Sequence, residues 1–195
     1  MPWNYQISDD YPSVTGFTHL SSLQKNNVDI IYSLWHPHMS DEAIAGILGN
    51  MDYESGLNPG QGEIGHNMSP QYGLGLIQWT PSGHIGSNPL QDYATGIGGD
   101  WWDGSLQANW ILAGDASGSW IPTALYPYTW AEYCQLNNVT VTTRAYFEER
   151  ERGTWDVLRQ TYAGDWLNYI QSITPGTYTR YGGAREMLRR LVIHA

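Results

Sequence analysis

The sequence is poor in cysteine, phenylalanine and positive charge, and each shortage removes a class of explanation. Its single cysteine, Cys134, can form no disulfide within the chain. With no second thiol nearby, neither a redox pair nor a cysteine zinc site is expected, and the fold must hold by packing alone. Nine Lys and Arg stand against nineteen Asp and Glu, a formal net charge of −10. General nucleic-acid binders carry a basic footprint, and anionic membranes attract positive charge, so neither partner is expected. The few basic residues gather late, at Arg180, Arg185, Arg189 and Arg190. No stretch approaches the roughly 18–20 apolar residues of a membrane-spanning helix. Residues 1–10 lack the basic-then-apolar order of a secretory leader. A substrate outside a membrane would therefore require another delivery route, and the glycosylation sequon Asn138-Val139-Thr140 carries little weight.

What is abundant is tryptophan, tyrosine and glycine: ten, fourteen and twenty-two residues, beside two phenylalanines. Trp and Tyr join a flat apolar face to a polar handle, which suits partly wet grooves as well as cores. Most are expected in the core, and the excess leaves room for a sugar-binding groove or a protein contact. A chain of 195 residues predicts one medium domain with enough core to need no metal or disulfide. The simplest division is a turn-rich N-terminal extension (1–24), a main domain (25–174) and a C-terminal helix available for docking (175–195). The extension could serve as a clamp, a docking arm or a loose end.

Helical periodicity starts after Asn27, read as an N-cap, with Val28, Ile31, Tyr32, Leu34 and Trp35 on one face and Pro37 as the stop. Ser40 can cap the next helix, with Asp41 and Glu42 at its positive end. Ile44, Ile47, Leu48 and Met51 form its apolar stripe, and Glu54 continues that stripe three residues beyond Met51. Gly56 and Asn58-Pro59-Gly60 mark its end. Residues 60–104 predict a loop-rich or small β lobe, in which Tyr72–Thr80 runs extended or turns toward a helix. Gly98–Gly104 predicts an exposed aromatic turn; without a lysine it is no phosphate loop. Further helices are expected near 106–112, 129–136 and 143–151. Another should be capped by Thr154 and carry Trp155, Leu158, Tyr162, Trp166 and Ile170, with Gly164 as a bend. A last amphipathic helix is expected at 184–194.

The most informative segment runs from Ala43 to Pro59 and ends in Tyr53-Glu54-Ser55-Gly56-Leu57-Asn58-Pro59. It resembles the phage tail lysozyme family, and its Glu-Ser-Gly-Leu-Asn-Pro piece is also similar to lytic transglycosylases and goose-type lysozymes. The resemblance continues through Tyr72-Gly73-Leu74-Gly75-Leu76-Ile77-Gln78-Trp79-Thr80 and Arg144-Ala145-Tyr146-Phe147-Glu148, spanning roughly residues 25–170. It implies a mainly helical α+β fold of the lysozyme kind, with a small β or loop-rich lobe across a cleft. It also implies that Glu54 is the catalytic acid and that Gly75, Leu76, Ile77 and Gln78 line the cleft opposite. The implied substrate is bacterial peptidoglycan, and the implied setting is a phage tail, with other tail proteins as candidate partners; the missing leader also fits a protein held in the host cytoplasm before release.

The residues support that chemistry independently. Cleaving a glycosidic bond needs a protonated acid beside the leaving oxygen, and a carboxyl at the end of an apolar stripe is expected to be partly desolvated. The alternative for Glu54 is a helix-end carboxylate paired with backbone or a base. A second carboxylate is less defined. Glu63 follows Glu54 by nine residues and Ser69 by fifteen, a spacing shared in type with the acid, second carboxylate and hydroxyl of smaller phage lysozymes. Asp52, Asp92, Asp100 and Asp103 remain competitors. Gln78, Trp79, Tyr72 and Tyr146 are the substrate-contact candidates, although Gln78 could instead tie down a loop and Trp79 fill core. The six histidines show no tight metal-ligand spacing, no serine-hydrolase elbow is present, and no cofactor is suggested. The leading expectation is thus a muramidase. Alternatives are a non-catalytic tail or cell-wall module on the same scaffold, a lytic transglycosylase and, third, a zinc amidase or peptidase.

Overall fold

Apolar spacing and capping residues organise the chain around one central helix. The computed structural model describes residues 2–12, 14–114, 120–151 and 153–173. The expected helix at 184–194 and the late arginines lie outside these. The described α-helices are α1 (Ser22–Trp35), α2 (Asp41–Ser55), α3 (Pro89–Gly96), α4 (Gly104–Leu112), α5 (Trp130–Tyr133), α6 (Val139–Tyr146) and α7 (Leu158–Ser172). A π-helical turn, Phe147–Glu151, continues α6.

Helix α2 starts where Ser40 accepts a hydrogen bond from the Ala43 N–H, and it ends at Gly56 in the left-handed conformation. Ile44, Ile47, Leu48 and Met51 are wholly buried, each burial contributing about 1.5–3 kcal/mol. The opposite side is buried as well, because α6 and α7 pack against two glycines. A Cβ on Gly46 would meet Thr142 Oγ1 at 2.6 Å, and one on Gly49 would meet the Arg159 carbonyl oxygen at 2.4 Å. Trp35 closes the core from α1, its indole N–H donating to the Ala108 carbonyl at 3.0 Å.

Several expected boundaries differ. Helix α1 begins at Ser22 rather than after Asn27, because Ser21 and Gln24 form a reciprocal capping box. Asn27 is buried within the helix; its side chain accepts from the Asn4 N–H and donates to the Asn4 and Leu57 carbonyls. Helix α6 starts earlier than expected, at Val139, capped by Asn138 of the sequon. Helix α7 starts later, at Leu158, and runs through Gly164 without a break. Asp103 caps α4, so the Gly98–Gly104 turn serves as a helix entrance, and Trp101 packs against the core.

The lobe between α2 and α4 is loop-rich. Among the described residues its β character amounts to isolated bridges, Gly62 with Leu74 and Leu74 with Trp79. Residues 74–79 form a tight turn closed by reciprocal Leu74–Trp79 backbone bonds of 3.2 and 2.9 Å. Gly75 and Gln78 have positive φ there, which rules out the extended option.

The N-terminal residues form the clamp among the three options. Ser8 pairs in parallel with Gln61, and Asn58 both accepts from the Gln6 N–H and donates to the Gln6 carbonyl. Farther along, His19 Nδ1 lies 2.5 Å from Asp52 of α2, and Nε2 lies 2.9 Å from Asp165 of α7. Its ring stacks on Tyr162 at 4.1 Å. Asp52 is completed by Gln24 Nε2 at 2.5 Å and the Trp166 indole at 2.9 Å.

Burial alone would lower the His19 pKa, but the two aspartates outweigh it and hold the pKa above the usual 6.5. A raised folded-state value means that this contribution is complete below pH 6.5 and fades as pH rises through the raised value. His19→Gln is therefore expected to lower Tm most in mildly acidic buffer, with the gap to the parent narrowing as pH rises. Melting curves across that range check it; a gap constant with pH would remove the linkage.

Candidate active site

Glu54 occupies the penultimate position of α2, where the buried stripe reaches the surface. A cleft of about 680 Å³ opens there, lined among others by Tyr11, Tyr53, Glu54, Glu63, Gln78 and Arg159. The Glu54 side chain is 22% exposed and is ion-paired through Oε1 with Arg159 Nη2. The apolar stripe thus delivers the carboxyl to a polar rim, where it is partly desolvated and paired with a base. Of the two alternatives, the basic partner is present, yet one side of the carboxyl still faces the cleft.

Arg159 is 3% exposed, and its position is tightly determined. Its Nη1 donates to Asn50 Oδ1 at 3.2 Å, while Asn50 is held by its own bonds to the Gly46 and Thr143 carbonyls. The guanidinium lies 4.1 Å from the Tyr53 ring centre and 5.0 Å from that of Phe147. Tyr53 donates to Asp156 at 3.3 Å; burial and the Asp156 charge push its phenol pKa up, so it remains a hydroxyl donor. Arg159 was not anticipated, although a signal existed. It shares a helical register with the buried Ala163, Trp166 and Ile170, and a charge on a buried stripe calls for a buried partner.

Glu63 also lines the cleft. Its Oε2 accepts from the Gly73 N–H at 2.9 Å, and Oε1 lies 3.6 Å from His66 Nε2. The competing aspartates lie elsewhere. Asp52 is buried under His19, Asp103 caps α4, and neither they nor Asp92 and Asp100 line the cleft. Gln78 does line it, while its Nε2 ties the loop by donating to the Gln61 and Gly75 carbonyls.

The other contact candidates sit away from the cleft. Trp79 is 2% exposed and stacks on Trp110 at 5.2 Å; the tight 74–79 turn folds it inward, so its faces are filled by protein. Tyr146 is 2% exposed, packed among Trp120 and Tyr133. Tyr72 stacks on His66 at 3.6 Å with His84 near its ring at 5.0 Å, and it does not line the cleft. Ser69 is spent in a turn, accepting from the Gln71 N–H. Among the described residues, no group of three His, Cys, Asp or Glu could hold a metal ion. Burial pushes the Cys134 thiol up to about 11.

This constellation can hold a carboxyl at fixed orientation, with a second carboxylate and an amide on the same cleft. A family model described as phage tail lysozyme matches residues 25–170. That span includes Glu54, Glu63, Gln78 and Arg159 and begins after Tyr11 and His19.

Two substitutions separate site from scaffold. Arg159→Met leaves Asn50 and Glu54 without their shared donor and should cost about 2–3 kcal/mol in urea unfolding, less than a fully buried pair because Glu54 is partly wet. Trp79→Ala should cost about 3–5 kcal/mol, as for a large core aromatic. A Trp79 variant of parental stability would instead return that ring to the list of ligand contacts.

Proposed function

The chain belongs to the phage tail lysozyme family, and on that premise we propose that it is a muramidase that cuts the glycan strands of bacterial peptidoglycan. The observation that carries this reading is the meeting of Glu54, Glu63 and Gln78 on one cleft. Glu54 acts as general acid, giving its proton to the leaving glycosidic oxygen. Arg159, donating to Oε1, fixes the carboxyl's orientation. Glu63 takes the role of second carboxylate, positioning the water that attacks the sugar's anomeric carbon. Its Gly73 and His66 contacts hold it against the loop-rich lobe. Gln78, its Nε2 engaged by the Gln61 and Gly75 carbonyls, presents its amide oxygen to sugar hydroxyl or acetamido N–H groups. The lysozyme-like arrangement of helices across a cleft is consistent with the mainly helical architecture. Delivery on a phage tail is supported by the family description; no described helix is long and apolar enough to cross a membrane.

A second reading, a lytic transglycosylase, is favoured by the Glu54-to-Pro59 motif. There a single acid suffices, and the substrate's own hydroxyl and acetamido groups replace the water. The products distinguish the two.

Digestion of purified peptidoglycan, with mass identification of the fragments, is expected to give reducing-end sugars. Fragments lighter by one water would move the assignment to the transglycosylase. Glu54→Gln should abolish release while the domain stays folded, since the variant's amide oxygen can still accept from Arg159. Glu63→Gln should reduce the rate by roughly 10²-fold or more, the usual scale for losing a positioned acid or base. Normal turnover by folded E54Q protein would overturn the acid assignment. Loss of activity on chelation, restored by zinc, would favour an amidase.

A further inference from the structure

The clamp does more than cover the domain, because it brings an exposed aromatic ring to the cleft. Tyr11 lines the same cleft as Glu54, together with Pro12, and is 62% exposed. Its backbone is nevertheless held on both sides. Upstream, Ser8 accepts from the Gly62 N–H at 2.8 Å, and the Asp10 carbonyl accepts from Gln61 Nε2 at 2.9 Å. Downstream, the Tyr11 carbonyl accepts from the Val14 N–H at 2.8 Å, and the Phe17 N–H donates to the Pro12 carbonyl at 2.8 Å. Phe17 itself is 3% exposed. Pro12 sits so close to Gly56 that a Cβ there would lie 2.5 Å from the proline Cβ. An exposed ring on an anchored segment contributes little to the core, but it offers a flat surface whose backbone is already ordered.

The cleft's other tyrosine cannot serve equally well. Tyr53 is 38% exposed, but the Arg159 guanidinium covers its ring at 4.1 Å. Among the described residues, no ring or cation contact covers Tyr11. The C–H face of a pyranose packs on such a ring while its hydroxyls stay in water. Tyrosine supplies that contact with few rotatable bonds to immobilise.

We propose that Tyr11 is the stacking platform for one sugar ring of the glycan strand, forming a subsite built by chain that precedes the family's matched span. The inference rests on the glycan-cleaving reading. Its ligand is an N-acetylated amino-sugar oligomer, and its residue acts on binding rather than on bond breaking.

The test uses the full chain carrying Glu54→Gln, titrated calorimetrically with purified peptidoglycan glycan oligomers, alongside turnover by the active enzyme. Tyr11→Ala is expected to weaken oligomer binding by about fivefold to tenfold. In the active enzyme the loss should fall chiefly on KM. Tyr11→Trp should restore affinity, since it keeps the flat face, and Tm should stay near the parent's because the ring is exposed. Binding by Tyr11→Ala equal to the parent, with KM unchanged, overturns the subsite alone. If the parent binds no glycan and the active enzyme releases none, the glycan reading falls and the subsite falls with it. Lost binding that Tyr11→Trp does not recover, or that accompanies a large fall in Tm, also overturns the platform in favour of a scaffold role.

Discussion

The close approach of α7 to α2 at Gly49 is the constraint on which the site depends. A side chain at that position would collide with the Arg159 backbone. Because none is there, the guanidinium of a residue at the start of α7 can reach both Asn50 and Glu54 one helical turn apart. A more distant helix would leave the arginine in water and the carboxyl free to rotate. Buried ion pairs are poor sources of net stability, since desolvation offsets attraction. Here the pair is better understood as fixing direction: it leaves one carboxyl at the edge of a cleft in one orientation.

A second constraint runs through Asp52, two residues before Glu54 and on another side of α2. Its carboxylate gathers His19, Gln24 and Trp166, thereby joining the clamp, α1 and α7. Asn27 and Asn58 extend the same pattern to the first residues. The two acidic residues near the end of α2 therefore divide their work. Asp52 is consumed by scaffold contacts, while Glu54 stays partly open to the cleft. The clamp that Asp52 helps anchor in turn carries Tyr11 to that cleft.

What was legible in the sequence follows from the range of the interactions. Helix α2 could be read closely because its cap, its apolar spacing and its terminal glycine are all local. The position of Glu54 at the end of that helix was legible for the same reason. Asn27 misled because its side chain caps nothing and instead bonds to chain on either side, Asn4 and Leu57. Trp79 misled because only the folded 74–79 turn directs its ring inward against Trp110. The clamp has no periodicity to detect: it is held by backbone bonds to an irregular loop and by scattered side chains such as Asn27, Asn58 and His19 whose partners are distant in sequence. Arg159 was detectable in principle as a charge on an apolar stripe, but its partner sits 105 positions away.

The two carboxylates of the cleft are held by unlike means, and that difference bears on their proposed roles. Glu54 projects from a buried helix and is gripped by a cation itself fixed at several points. Glu63 projects from an irregular loop and is held by one backbone N–H, with a histidine nearby whose ring stacks on Tyr72. An acid that must meet a single leaving oxygen benefits from the stiffer mounting, since small misplacements are costly to proton transfer. A group that orders a water can accept the looser one, because the water itself takes up part of the variation. The proposed division of labour between Glu54 and Glu63 is thus in keeping with how each is mounted, and under that proposal the loop around Glu63 is where a change of reaction outcome would arise.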